Sequence, residues 1–229
     1  MSSADIGKVL RVTDAAGRYI EYCKSTVPEN FSLRGMRIAV DCAHGATYHV
    51  APAVLEELGA KVIAMGVQPN GFNINEGVGS TDMAQLSQLV VSQNADLGIA
   101  YDGDGDRVLF VDHTGDLVDG DELIYVISSH RLATGRSDAG VVGTLMSNLG
   151  LEKALREAGL QFVRAQVGDR YVKELMEQHG WSLGGEASGH IICSDVTTTG
   201  DGIVASLQVL AALKGAAVGL AALRQGMKK

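Results

Sequence analysis

Val54-Leu55-Glu56-Glu57-Leu58-Gly59-Ala60 runs straight into the apolar stretch 61–65, and the order reads as helix, glycine stop, strand. Leu151-Glu152-Lys153-Ala154-Leu155-Arg156-Glu157-Ala158-Gly159 repeats that order ahead of 161–166. Around each copy, β-rich runs of about five residues alternate with longer amphipathic runs, the pattern of βαβ units. Strands are expected at 37–41, 61–65, 97–101, 108–112, 140–145, 161–166 and 191–193, and helices at 14–24, 51–58, 83–93, 120–132 and 149–158. The predicted fold class is α/β: two similar three-layer α/β domains with mixed, largely parallel sheets, covering 1–117 and 118–229 and joined near Thr114 to Asp119. A single continuous sheet satisfies the same order of elements.

Composition sets the class of partner. The 229 residues are 46% hydrophobic and 20% charged with three prolines, a profile that predicts a real core, one for each domain if there are two. The net charge of −8 disfavours nucleic acid, whose binding requires a basic surface to displace counterions. Cys23, Cys42 and Cys193 are odd in number and widely spaced, which predicts reduced thiols. Residues 1–8 show no apolar run flanked by basic residues, so no export signal is expected. The apolar segment 203–223 contains Gln208, Lys214, Gly215 and Gly219, and reads as two packed helices rather than a membrane span.

Asp102-Gly103-Asp104-Gly105-Asp106-Arg107 follows directly on an apolar strand. Its carboxylates therefore gather where open α/β sheets bind ligands, at the C-terminal end of a strand. Hard oxygens without sulfur or imidazole suit magnesium or calcium. A calcium EF-hand would require glycine at Arg107 and glutamate at His113, and fails at both. An aspartyl-phosphate enzyme, with Asp102 as nucleophile and Asp104 as acid, is a second reading. Arg107 favours phosphate chemistry in either case, because a guanidinium beside a cation can hold a phosphoryl oxygen.

Gly184-Gly185-Glu186-Ala187-Ser188-Gly189-His190 sets a carboxylate, a hydroxyl and an imidazole between glycines, donors and acceptors suited to a polyhydroxyl ligand. The same stretch also reads as a plain polar turn. Val167-Gly168-Asp169-Arg170 ends a strand and opens a helix; it can face an anion, or Asp169 can serve as the N-cap. Thr197 to Gly202 reads as capping and turn chemistry before another helix.

Taken in order and spacing, Asp102–Arg107, Gly185–His190 and Thr198–Gly202 resemble the metal loop, the sugar loop and the following helix start of the α-D-phosphohexomutase family. The stretches 141–150 and 167–172 resemble the glucosamine-phosphate branch of that family. The resemblance covers essentially the whole chain and corresponds to the second and third of the family's four domains. It implies that Asp102, Asp104 and Asp106 hold magnesium and that Arg107 approaches a phosphoserine phosphate. It implies further that Glu186 and Ser188 contact sugar hydroxyls, that Gly168 and Asp169 border the sugar, and that His190 lies near the transferring phosphoryl group. His44 and Ala187 depart from the residues expected at their positions.

The implied activity is transfer of phosphate between the 6- and 1-positions of glucosamine through a bisphosphate, in a cytoplasmic enzyme of cell-wall precursor synthesis. Neither a Thr-Ala-Ser-His-Asn-Pro-like phosphoserine loop nor an Arg-x-Ser-Gly-Thr-Glu-Pro-like phosphate clamp occurs among the 229 residues. The expectation is therefore an inactive fragment that binds magnesium. Its partners would be a phosphosugar and the first and fourth domains in trans, or another copy of itself, with neither nucleic acid nor membrane among them. Two alternatives are a mutase of the same family for glucose or mannose phosphates and a noncatalytic magnesium-binding module.

Overall fold

β-branched and aliphatic runs too short for helices form the strands, and their order repeats. In the computed structural model, which describes residues 2, 7, 9–136 and 138–229, the first sheet contains β1 (Arg37–Asp41), β2 (Lys61–Met65), β3 (Leu97–Tyr101), β4 (Val108–Asp112) and β5 (Leu117–Val118). Its order is β2-β1-β3-β4-β5, parallel among the first three and antiparallel after β3. The second sheet contains β6 (Gly140–Thr144), β7 (Gln161–Ala165), β8 (Leu183–Gly185) and β9 (Ile191–Cys193) in the order β7-β6-β8-β9, again parallel up to the last, antiparallel strand. The repeat seen in the sequence is thus a repeat of topology, and the single continuous sheet is set aside.

Helices α1 (Ala15–Ser25), α2 (Val50–Glu57), α3 (Ala84–Ser92), α4 (Gly120–Ala133), α5 (Leu149–Glu157), α6 (Asp169–His179), α7 (Gly202–Ala216) and α8 (Leu220–Leu223) cover the sheets, and a 3₁₀ turn, Arg224–Gly226, follows. Beneath α3 lies a small cluster that includes Ala39, Leu86 and Val90, and beneath α6 a second one around Val142, Met176 and Trp181. Between the sheets a single large cluster runs from Cys23 to Met227. The expectation that each half buries a core of its own therefore needs correcting: only the outer faces have separate cores, and the inner faces share one.

Helix α7 explains the sharing. From Gly202 to Leu210 every residue is buried, because this helix is wedged against α4, β4 and β9 and has apolar neighbours on all sides. That burial accounts for the apolar segment 203–223, whose two helices meet at 89°. No single described helix is long and apolar enough to cross a membrane. The chain passes through Gly215 and stops instead at Ala217, in left-handed conformation with φ 54°. The reading of residues 1–8 as free of an export signal lies, apart from residues 2 and 7, outside the described residues.

Candidate active site

β3 delivers Asp102 to the sheet's C-terminal edge, and there the carboxylate shapes its own loop. Its Oδ1 accepts from the backbone N–H of Gly105 at 3.2 Å and of Arg107 at 3.1 Å, which curls the chain back toward β4. Gly105 takes φ 81°, a conformation that suits glycine. Two outside donors hold the loop: Ala46 N–H to the Gly103 carbonyl at 2.8 Å, and Gly202 N–H to the Gly105 carbonyl at 2.9 Å. With the backbone tied down in this way, Asp102, Asp104 and Asp106 each present an oxygen within 4.8 Å of the others.

The electrostatics of the triad call for a cation. Burial, followed by the charges of Asp106 and Asp104, outweighs the Arg107 N–H bond and pushes the Asp102 carboxyl up to about 6. Asp106 Oδ1 is buried without a hydrogen-bond partner. Arg107 does not fill the role: its Nε stands 3.8 Å from Asp102 and 3.9 Å from Asp106, and its side chain is 46% exposed. Three hard oxygens with negative charge left over fit a magnesium-type ion.

The second loop occupies the equivalent station of the other sheet, between β8 and its antiparallel partner β9. Glu186 N–H bonds the His190 carbonyl and Gly189 N–H the Glu186 carbonyl, both at 3.0 Å, closing a tight hairpin. Glu186 Oε1 accepts from Gly168 N–H at 2.9 Å, which joins the two segments assigned to sugar contact. Gly168, not Asp169, occupies the cap of α6; Asp169 is the first residue of the helix. Ser188 is exposed on the rim.

The two loops touch. Arg107 and His190 form an isolated antiparallel β-bridge, and Val108 N–H bonds the Gly189 carbonyl at 3.0 Å. His190, only 5% exposed, places Nδ1 3.1 Å from Asp106 Oδ2 and Nε2 3.9 Å from Asp169 Oδ2. The acidic triad, His190 and Asp169 are thus linked by successive contacts, and Glu186 is tied to Gly168 beside Asp169.

Sequence reasoning missed the supports. Gly120 N–H bonds the Ala187 carbonyl at 3.0 Å, and a side chain at Gly120 would collide with the Glu186 carbonyl. Gly202 makes the matching contact to the acidic loop. Both glycines open helices behind capping aspartates, Asp119 and Asp201, so the signal available was an Asp-Gly pair ahead of an apolar run, twice. The capping reading of 197–202 holds, since Asp201 accepts from Val204 N–H at 3.0 Å.

The chain is similar to known proteins in sequence and in fold. Residues 17–115 match the family model for phosphoglucomutase/phosphomannomutase α/β/α domain II, and residues 119–229 the model for domain III. A curated phosphoglucosamine mutase of Aeromonas hydrophila subsp. hydrophila is 60% identical over 229 residues, 100% of this chain and 52% of that protein. One from Methylococcus capsulatus is 62% identical over 224 residues, 98% and 50% respectively. The chain spans about half the length of the curated relatives it matches. Among solved structures, a putative phosphomannomutase from Thermus thermophilus superposes with TM-score 0.83 at 19% identity, over 97% of this chain and 52% of that one. Aspergillus fumigatus N-acetylphosphoglucosamine mutase, in complex with GlcNAc-6P and magnesium, gives 0.70 at 19%, over 92% and 53%. At such identities the superpositions speak for the fold alone.

Proposed function

The chain belongs to the phosphoglucomutase/phosphomannomutase family, and from that premise we propose that it supplies the metal and sugar loops of a phosphoglucosamine mutase. The reaction proposed is interconversion of glucosamine 6-phosphate and glucosamine 1-phosphate through a bisphosphate. One observation carries the reading: across the Arg107–His190 bridge, a three-carboxylate loop with an unpartnered buried oxygen meets a loop of sugar-binding residue types.

In this proposal Asp102, Asp104 and Asp106 hold magnesium, which would supply positive charge to the transferring phosphoryl group. Arg107, exposed and free of any close ion pair, is placed to reach a phosphate oxygen. Glu186 has one oxygen committed to Gly168 and one left for a sugar hydroxyl, and Ser188 stands open beside it. Gly168 and Asp169 border the sugar, and His190 adjoins the phosphoryl end through Asp106. The phosphoryl carrier is proposed to come from outside these 229 residues.

The division into units 1–117 and 118–229 is part of the same proposal, supported by the two sheets, with β5 at the seam. Exposed Leu145, Met146 and Val167 follow β6 and β7, and support cover of that edge by further domains or by self-association. A cytoplasmic setting is likewise proposed, in keeping with a phosphosugar substrate.

With magnesium and a sugar bisphosphate primer, the chain alone is expected to turn over neither glucosamine 6-phosphate nor glucose 6-phosphate. The whole protein is expected to favour the amino sugar. Preference for glucose or mannose phosphates in the whole protein would overturn the substrate assignment in favour of a phosphoglucomutase or phosphomannomutase. No turnover of any hexose phosphate there would leave a magnesium-binding module. Turnover by the chain alone would require a different nucleophile, with Asp102 and Ser147 tested first.

Magnesium affinity is expected to weaken as pH falls through about 6, because the ion must then displace the Asp102 proton. The sign for stability runs opposite in the metal-free chain. A carboxyl raised in the folded state contributes stability below its ordinary range and loses it as pH rises through about 6. Thermal melts with and without magnesium should therefore diverge more at pH 7.5 than at pH 5. A pH-independent difference would remove Asp102 from the ligand set.

A further inference from the structure

A part-buried polar contact ties the first helix to the segment that leads into α7. Tyr19 of α1 donates its phenol O–H to Asp201 Oδ2 at 2.7 Å, across 182 residues of chain. One turn on, Tyr22 donates to the Val196 carbonyl at 3.0 Å. From α6, Lys173 donates to the Thr198 carbonyl at 2.7 Å. The segment 196–202 is thus held at its start, middle and end by side chains of α1 and α6 that lie outside the site itself.

That segment bears on the site at two points. Gly200 packs so closely on the His190 imidazole that a Cβ would collide with Nε2, and His190 in turn faces Asp106. Gly202 N–H bonds the Gly105 carbonyl in the middle of the acidic loop, and a Cβ there would come within 2.8 Å of the same oxygen. Asp201 joins these contacts to α1. Its Oδ1 caps α7 through Val204 N–H, and its Oδ2 takes the tyrosine. Burial and the neighbouring Asp201 charge hold the Tyr19 phenol well above its ordinary range, so it stays a donor.

We propose that Tyr19 is a positioning residue for the metal loop, acting through Asp201 and Gly202 to fix the Gly105 carbonyl and through Gly200 to fix His190 against Asp106. The inference rests on the metal reading of Asp102, Asp104 and Asp106. Its physical basis is that groups behind the ligands, by orienting carboxylates and imidazoles, tune metal affinity, and losing one typically weakens binding by about 10- to 100-fold.

The test is magnesium binding to the chain by calorimetry, together with hydrogen exchange at the Gly105 and Arg107 amides. Tyr19→Phe is expected to weaken magnesium about 10-fold and to speed exchange at both amides. Leu160→Val trims the core ahead of β7, away from the loop, and serves as the control: a lower melting temperature with unchanged magnesium affinity and loop exchange. Wild-type affinity in Tyr19→Phe, or equal weakening in Leu160→Val, overturns the proposal. A wild-type chain that binds no magnesium, with Asp104→Asn indistinguishable from it, sinks the metal reading and this one with it.

Discussion

Asp104→Asn is expected to weaken magnesium binding by more than about 100-fold, because loss of a direct ligand should cost at least as much as loss of an outer partner. Its fold should not suffer. Asp104 is the exposed member of the triad, and its charge helps to raise the Asp102 carboxyl. Removing it relieves repulsion, so the metal-free variant should melt no lower than wild type, and Asp102 should titrate nearer its ordinary range. Calorimetric titration with magnesium and an NMR titration of Asp102 read the two effects separately. Unchanged affinity would remove Asp104 from the site, and a large fall in melting temperature would give it a structural role that the geometry does not show.

Arg224→Ala is expected to cost about 1–3 kcal/mol of stability, because it removes a charge-assisted partner from two buried carboxylates, of which Glu122 keeps Lys229 at 2.7 Å and Asp112 keeps its bonds from Thr114 and Asp116. Arg224 reaches Asp112 at 2.8 Å and Glu122 at 3.1 Å, whose side chains are 1% and 4% exposed. Burial pushes the Asp112 carboxyl up, but hydrogen bonds from Thr114 and Asp116 and the Arg224 charge outweigh it, and the net shift is downward. A carboxyl lowered in the folded state adds stability above its ordinary range, and that contribution is lost as pH falls through the lowered value. The deficit of Arg224→Ala should therefore be larger at pH 7 than at pH 3, as measured by denaturant unfolding. A deficit below about 1 kcal/mol at pH 7 would mean that water reaches these carboxylates.

Much of this molecule could be read locally. Strands 37–41, 97–101 and 108–112 stand where the apolar runs put them, because buried strands need only a few consecutive apolar residues, and the edge strand 61–65 stands where its run put it as well. β5 was missed because Leu117-Val118 is too short to show a period. The carboxylate cluster was legible because its members are near neighbours in sequence, and the Glu186–His190 loop because its polar residues are bracketed by glycines.

What escaped was nonlocal. Tyr19 and Asp201, or Gly202 and Gly105, carry no mutual signal in the sequence, and only the packing of α1 and α7 brings them together. The shared inner core escaped for the same reason. An apolar helix such as α7 shows that it is buried but not by what.

The helix starts at Gly120 and Gly202 supply the last consequence. Helix α4 follows the first sheet along the chain and opens against the hairpin of the second; α7 follows the second sheet and opens against the acidic loop of the first. The contact rule is therefore reciprocal, as in an isologous dimer, although a single chain makes both halves. The reciprocity holds in these backbone contacts and breaks in the side chains: at matching stations one half presents three acids and the other a glutamate, a serine and a histidine. Reciprocal scaffolding of this kind sets two chemically unlike loops side by side, each braced by the half to which it does not belong.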